Sequence, residues 1–150
     1  MGLRRDGREA AIQFLYQFDA HKPVDLEQAL TGFWKQTEQP QNVRDFADEL
    51  LRGAIANLPE VDAKIRTLAD NWDFERLAVV DRNILRLAIY EMLFRPEIPP
   101  VVSINEAIEI AKKFSTAESG KFVNGLLDRV KKDLLRPARQ AAGHGDAPAP

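Results

Sequence analysis

The sequence predicts an all-α fold of about seven helices arranged in two sub-bundles. Three observations carry that prediction. Apolar residues recur at spacings of three and four along almost the whole chain, the period of one face of a helix. No segment alternates strictly enough between apolar and polar residues to make a half-buried strand. A proline-rich joint after Phe94 divides the helical pattern, leaving the apolar stretch before it as the element both sub-bundles share.

Taken in order, the first helix is expected over residues 5–20, where Ala11, Phe14, Leu15 and Phe18 form one apolar face. His21-Lys22-Pro23 ends it, because proline lacks a backbone donor and restricts the residue before it. Asp25 is placed to cap a second helix carrying Leu26, Ala29, Leu30, Phe33 and Trp34. A loop at 38–41 leads to a third helix over 42–58, with Phe46, Leu50, Ala54 and Leu58 turned inward. Pro59 suits the first turn of a fourth helix, which carries Val61, Ile65 and Leu68 and stops near Asn71 and Trp72.

Residues 77–94 are apolar on most sides, the pattern of a central buried helix. Arg95-Pro-Glu-Ile-Pro-Pro is a stiff connector, and two last helices are expected over 104–114 and 119–135. Ser103 and Glu106 have the spacing of a capping box at the start of the first of these. Gly125, within the last, costs up to ~1 kcal/mol relative to alanine, a cost that close packing of a neighbouring helix would offset. From Pro137 onward nothing is available to bury. Residues 1–136 are therefore expected as one helical domain and 137–150 as a disordered Ala/Pro-rich tail. No internal repeat recurs at a fixed period.

Composition narrows the function. The chain has 150 residues, 45% of them apolar and 29% charged, which fits one soluble domain. Its formal net charge of −2 argues against coating nucleic acid by bulk charge, although a local basic site remains open. Cysteine is absent, so thiol catalysis, disulfides and Cys-based zinc sites are excluded. Of the two histidines, His144 falls in the expected tail and His21 at a helix end, so no pair has metal-ligand spacing. No glycine-rich phosphate loop or nucleophile elbow is present, and the carboxylates scatter among Lys and Arg as solvated ion pairs do. No catalytic residue, metal or cofactor is therefore expected. The start lacks the apolar stretch of a secretory signal, and Asp6 stands where a myristoylation motif needs Ser or Thr, so the cytoplasm is the expected location.

Two segments hold the candidate chemistry. Arg4, Arg5 and Arg8 gather near the amino terminus, with Gln13 further along. Arg4 and Arg8 share a helix face, and a guanidinium is a flat fork suited to phosphates and base edges. A solvated first turn explains the same residues equally well. The second segment brings Lys112, Lys113, Phe114, Lys121 and Phe122 to the joint between the last two helices. Unpaired bases stack on aromatic faces beside cations, whereas aromatics at helix ends more commonly serve the core.

Three motifs in order give the chain a family resemblance. They are Arg8-Glu-Ala-Ala-Ile-Gln-Phe-Leu-Tyr-Gln, then Asp81-Arg-Asn-Ile-Leu-Arg-Leu-Ala-Ile-Tyr-Glu, and then Ser103-Ile-Asn-Glu-Ala-Ile-Glu-Ile-Ala-Lys-Lys-Phe with Lys121-Phe-Val-Asn-Gly-Leu-Leu-Asp. Across residues 4–135 the sequence resembles the NusB family of bacterial transcription antitermination factors. The resemblance implies two helical sub-bundles. It also implies binding of the boxA element of nascent ribosomal RNA together with NusE, a small-subunit ribosomal protein, within an RNA polymerase antitermination complex. It further implies that a homodimer can hide the RNA surface. By position, the RNA side would comprise Arg4, Arg5, Arg8, Gln13, Phe114, Glu118, Lys121, Phe122 and Asn124. The NusE side would comprise Tyr16, Asp81 and Arg86, and an intramolecular ion pair or cap is the alternative for the last two. Asp6 and Gly7 interrupt the basic run at the amino terminus, which implies weak RNA binding without NusE. A pure protein-interaction module is the competing reading, since the same fold accompanies ribosomal RNA cytosine methyltransferases as an accessory domain.

Overall fold

A computed structural model describes residues 2–68 and 74–135. The expected end of the fourth helix near Asn71 and Trp72, and the expected tail at 137–150, lie outside the described residues. Seven α-helices occur within them: α1 (Leu3–Ala20), α2 (Leu26–Gln36), α3 (Gln41–Ala56), α4 (Leu58–Leu68), α5 (Val79–Phe94), α6 (Pro100–Phe114) and α7 (Ala117–Leu134). A short 3-10 turn, Phe74–Arg76, precedes α5.

The helix α5 is the shared core element. It packs against α1 and α3 of the amino-terminal sub-bundle and against α4, α6 and α7 of the other. Nearly every side chain from Asp81 to Met92 is buried, including Ile84, Leu85, Leu87 and Ile89. A helix that is apolar on most sides has to be enclosed on most sides. Ala11, Phe14 and Leu15 of α1 meet this core, and Phe33 of α2 sets its ring edge-on to Phe14 with centroids 5.3 Å apart. The Asp25 carboxylate accepts the Gln28 backbone N–H at 3.2 Å, so the expected cap of α2 is in place.

Polar anchors fix how α1 lies on α5. Arg8 and Glu91 make a two-pronged ion pair at 2.8 and 2.9 Å, and both side chains are almost fully buried. Toward the other end of α1, Asp19 accepts from Arg82 at 2.9 Å and Asn83 at 3.2 Å. These pairings run α1 and α5 antiparallel. Burial pushes the Asp19 carboxyl up, but hydrogen bonds and charge from Arg82 and Arg86 outweigh it and hold the group below its usual range.

Several expectations are corrected. The helix α6 begins at Pro100 rather than near residue 104, with its fixed φ placed in the first turn where a missing donor costs little. Ser103 and Glu106 are therefore inside the helix and form no capping box. Ser103 donates instead to Glu91 at 2.7 Å, and Glu106 pairs with Arg5. Capping in this region belongs to Thr116, whose hydroxyl accepts the Ser119 backbone N–H at 3.0 Å at the start of α7. The expected neighbour of Gly125 is missing too: a Cβ there would meet nothing within 4 Å. Close approach occurs at Gly53, where a Cβ would lie 1.8 Å from the Tyr90 hydroxyl oxygen. Gly7, which interrupts the basic run, is buried within α1, and a Cβ there would sit 2.6 Å from the Phe46 ring.

Candidate nucleic-acid interface

Long side chains bridge α1 and α6, which both pack on α5 and run in the same direction: Arg5 pairs with Glu106 and, one turn further along α1, Glu9 pairs with Lys113. Their far ends converge on the first turn of α5, and α7 starts close by. The expected site residues distribute around this corner.

Along α1, the three arginines have three different fates. Arg4 is exposed, and its guanidinium lies 5.6 Å from the centre of the Phe46 ring on α3. Arg5 turns toward α6, where Nη2 donates to Glu106 at 2.8 Å and Nε also bonds that carboxylate. That bond and charge hold the Glu106 carboxyl below its usual range. Arg8 points inward. It is 3% exposed, its fork is occupied by Glu91, and Glu91 also accepts from Ser103. In the isolated chain Arg8 is thus an internal anchor joining α1 to α5, its fork already engaged.

Two open grooves flank the start of α5. The first, about 280 Å³, is lined by Glu9, Ile12, Gln13, Tyr16, Gln17, Val80 and Phe114. Tyr16 and Phe114 are 47% and 41% exposed, so two aromatic faces remain available for stacking. Gln13 and Phe114, expected on the RNA side, are thus brought together with Tyr16, expected on the NusE side. The second groove, about 510 Å³, is lined by Arg76, Leu77, Ala78, Asp81, Glu118, Ser119, Lys121 and Phe122. It gathers Glu118, Lys121 and Phe122 on the first turns of α7. Asn124 is exposed on the same helix but lines neither groove, and Arg4 leans away toward α3.

The two expected NusE-side residues of α5 are drawn into the fold. Arg86 is 6% exposed and makes a two-pronged pair with Asp62 of α4 at 2.8 and 2.9 Å. Asp81 is 7% exposed and accepts from Ser119 at 2.9 Å, while its other oxygen has no hydrogen-bond partner. The intramolecular alternative therefore describes both in the isolated chain. Ser119 also hydrogen-bonds the hydroxyls of Ser115 and Thr116, so the Asp81 carboxylate anchors the whole α6–α7 turn.

Sequence reasoning missed Glu9, Ile12, Gln17 and Val80 as groove residues. On α1 a signal existed: Glu9, Gln13, Tyr16 and Gln17 recur at helical spacing on one outer stripe. No such signal marks Val80, which reaches the groove only because α5 begins there. Among the described residues no cluster of His, Asp and Glu has the makings of a metal site, and no helix is long and apolar enough to cross a membrane.

These features define a helical scaffold whose distinctive chemistry lies on an open surface of aromatics, amides and cations. The chain belongs to the NusB family, whose model matches residues 5–132. A transcription antitermination protein NusB of Methylacidiphilum infernorum is 47% identical over 135 residues, covering 90% of this chain and 94% of the relative. The Myxococcus xanthus protein of the same name is 46% identical over 142 residues, covering 91% and 100%. The solved structure of T. maritima NusB superposes with a TM-score of 0.76 at 45% identity, over 86% of this chain and 90% of that one. A crystal structure of antitermination factors NusB and NusE with double-stranded RNA matches at a TM-score of 0.77 and 25% identity, over 89% and 98%.

Proposed function

We propose that this chain is a transcription antitermination factor that binds single-stranded boxA RNA jointly with NusE and so enters the RNA polymerase antitermination complex. The observation carrying this reading is the convergence of Gln13, Tyr16 and Phe114 in one groove beside Lys121 and Phe122 in the next. Exposed aromatic faces take up splayed bases, neighbouring lysines take phosphates, and an amide reads a base edge. Kinship with a NusB seen alongside NusE and RNA supports the pairing of the two ligands.

The cationic side chains of this surface are mostly matched by carboxylates: Arg5 by Glu106, Lys113 by Glu9, Lys112 by Glu109 and Lys121 by Glu118. Such a surface attracts RNA weakly by charge alone, which favours a mechanism in which NusE supplies further contacts. Tyr16 offers NusE an exposed ring at the edge of the same groove. Without RNA, a second copy of the chain competes for this surface. The work is done in the cytoplasm, where nascent transcripts are made, and no catalytic step is required.

Fluorescence anisotropy of a labelled boxA RNA, with and without NusE, tests this reading. Affinity is expected to rise when NusE is added and to fall as salt increases, because phosphate contacts release counterions. Equal affinity in both arms sinks the joint mechanism. Tight NusE binding with no RNA contact at any salt supports the pure protein-interaction module instead.

A further inference from the structure

Lys113 occupies an unusual position. It stands on the seam between α1 and α6, beyond the Arg5–Glu106 pair and before the Gln13–Tyr16–Phe114 groove. Its ammonium donates to both oxygens of Glu9, at 3.0 and 3.2 Å, and lies 5.2 Å from the centre of the Phe114 ring. The Lys113 side chain remains 56% exposed, whereas that of Glu9 is 14% exposed. Glu9 itself lines the groove.

Glu9 therefore places a negative charge at the wall of a surface meant for a polyanion. Lys113 neutralises that charge. An ammonium has three donors, and with both bonds to Glu9 made, one still faces solvent. Between Arg5 and Gln13 the rise along α1 is about 12 Å, and the Lys113 ammonium lies within that span, bonded to Glu9.

We propose that Lys113 is a phosphate-binding residue of the RNA site, holding one backbone phosphate between the Arg5 end of α1 and the Phe114 groove while masking Glu9. This rests on reading the surface as an RNA site. Two consequences separate it from a generic surface lysine. Removing Lys113 loses a phosphate contact and also exposes Glu9 to the strand. Removing the Glu9 charge as well restores part of the loss, although no cation returns.

The test measures a labelled single-stranded boxA RNA over a salt series, with NusE present, for the wild-type chain, Lys113→Ala, Glu9→Gln and the double variant. Circular dichroism confirms that each is folded. Lys113→Ala is expected to weaken binding about tenfold at low salt and to make the log–log salt slope shallower by roughly 0.7, the contribution of one phosphate on a single strand. The double variant is expected to bind several-fold more tightly than Lys113→Ala, and Glu9→Gln more tightly than wild type. An unchanged affinity and slope for Lys113→Ala overturns the proposal. Weaker binding at unchanged slope overturns the phosphate contact, and a double variant no better than Lys113→Ala overturns the masking. If the wild-type chain itself binds no RNA, the reading of the surface fails and takes this inference with it. Wild-type binding that ignores Lys113 sinks the inference alone.

Discussion

The start of α1 and the turn between α6 and α7 both present the side chains expected of an RNA-binding wall, yet they are built on opposite plans. At the start of α1 the arginines are tied down. Arg8 is locked to Glu91 inside the protein, Arg5 is clamped on Glu106, and only Arg4 is left at the surface over Phe46. At the turn, Phe114 and Lys121 face solvent, and what is fixed is the backbone beneath them, through Asp81, Ser119 and Thr116. One wall spends its charged groups on contacts between helices, and the other is held by Asp81 and small hydroxyls, which leaves Phe114 and the ion-paired Lys121 at the surface. A guanidinium among helices serves structure or ligand according to whether a carboxylate is within reach, not according to its place in a motif.

The sharpest way to break this contrast is Arg8→Ala. Removing one partner of a buried ion pair strands the other charge, and Glu91 would keep only the Ser103 hydroxyl. The unfolding free energy from urea titration is expected to fall by about 3–5 kcal/mol. Weakened RNA binding then follows from a destabilised fold. Should the variant be as stable as wild type and still lose RNA affinity, Arg8 belongs with the contacts and the contrast collapses.

Phe114→Ala probes the other wall with the opposite signature. The ring is 41% exposed and lies outside the buried core, so urea stability is expected to fall by no more than about 1 kcal/mol. Binding of boxA RNA with NusE is expected to weaken by about 1–3 kcal/mol, the usual worth of one base stacked on an aromatic. A stability loss without a binding loss would return Phe114 to the core.

Legibility from sequence followed the range of the interaction. The face of α1, the Asp25 cap and the buried character of α5 are local patterns, and the structure has all three. The capping box at Ser103 was a local pattern that lost to a better one, since Pro99 and Pro100 start the helix earlier. The arginines could not be sorted locally at all. Arg5 meets a partner 101 positions away and Arg8 one 83 positions away, and no periodicity encodes which carboxylate a folded chain will bring near. The grooves were legible in part: aromatic and basic residues near Phe114 stood out, but their meeting with Gln13 and Tyr16 depends on α1 and α6 running parallel. Family resemblance set Gln13 and Phe114 on one RNA surface but gave Tyr16 to the NusE side, whereas all three line one groove.

Gly125→Ala carries the smallest expected effect and asks how firm the α7 wall is. The glycine is exposed in the middle of α7, one residue beyond Asn124, and a Cβ there meets nothing. Its helical backbone is one that alanine adopts without strain, and alanine has less freedom to lose on folding. Stability is expected to rise by about 0.5–1 kcal/mol, read as a higher urea midpoint at unchanged slope. RNA binding by the same variant is expected to hold, because the turn bearing Phe114 and Lys121 is pinned by Asp81 and Ser119 rather than by the middle of α7. A stabilised variant that binds RNA less well would mean that the bare face at Gly125 is itself approached by the ligand, extending the wall from the turn along the helix.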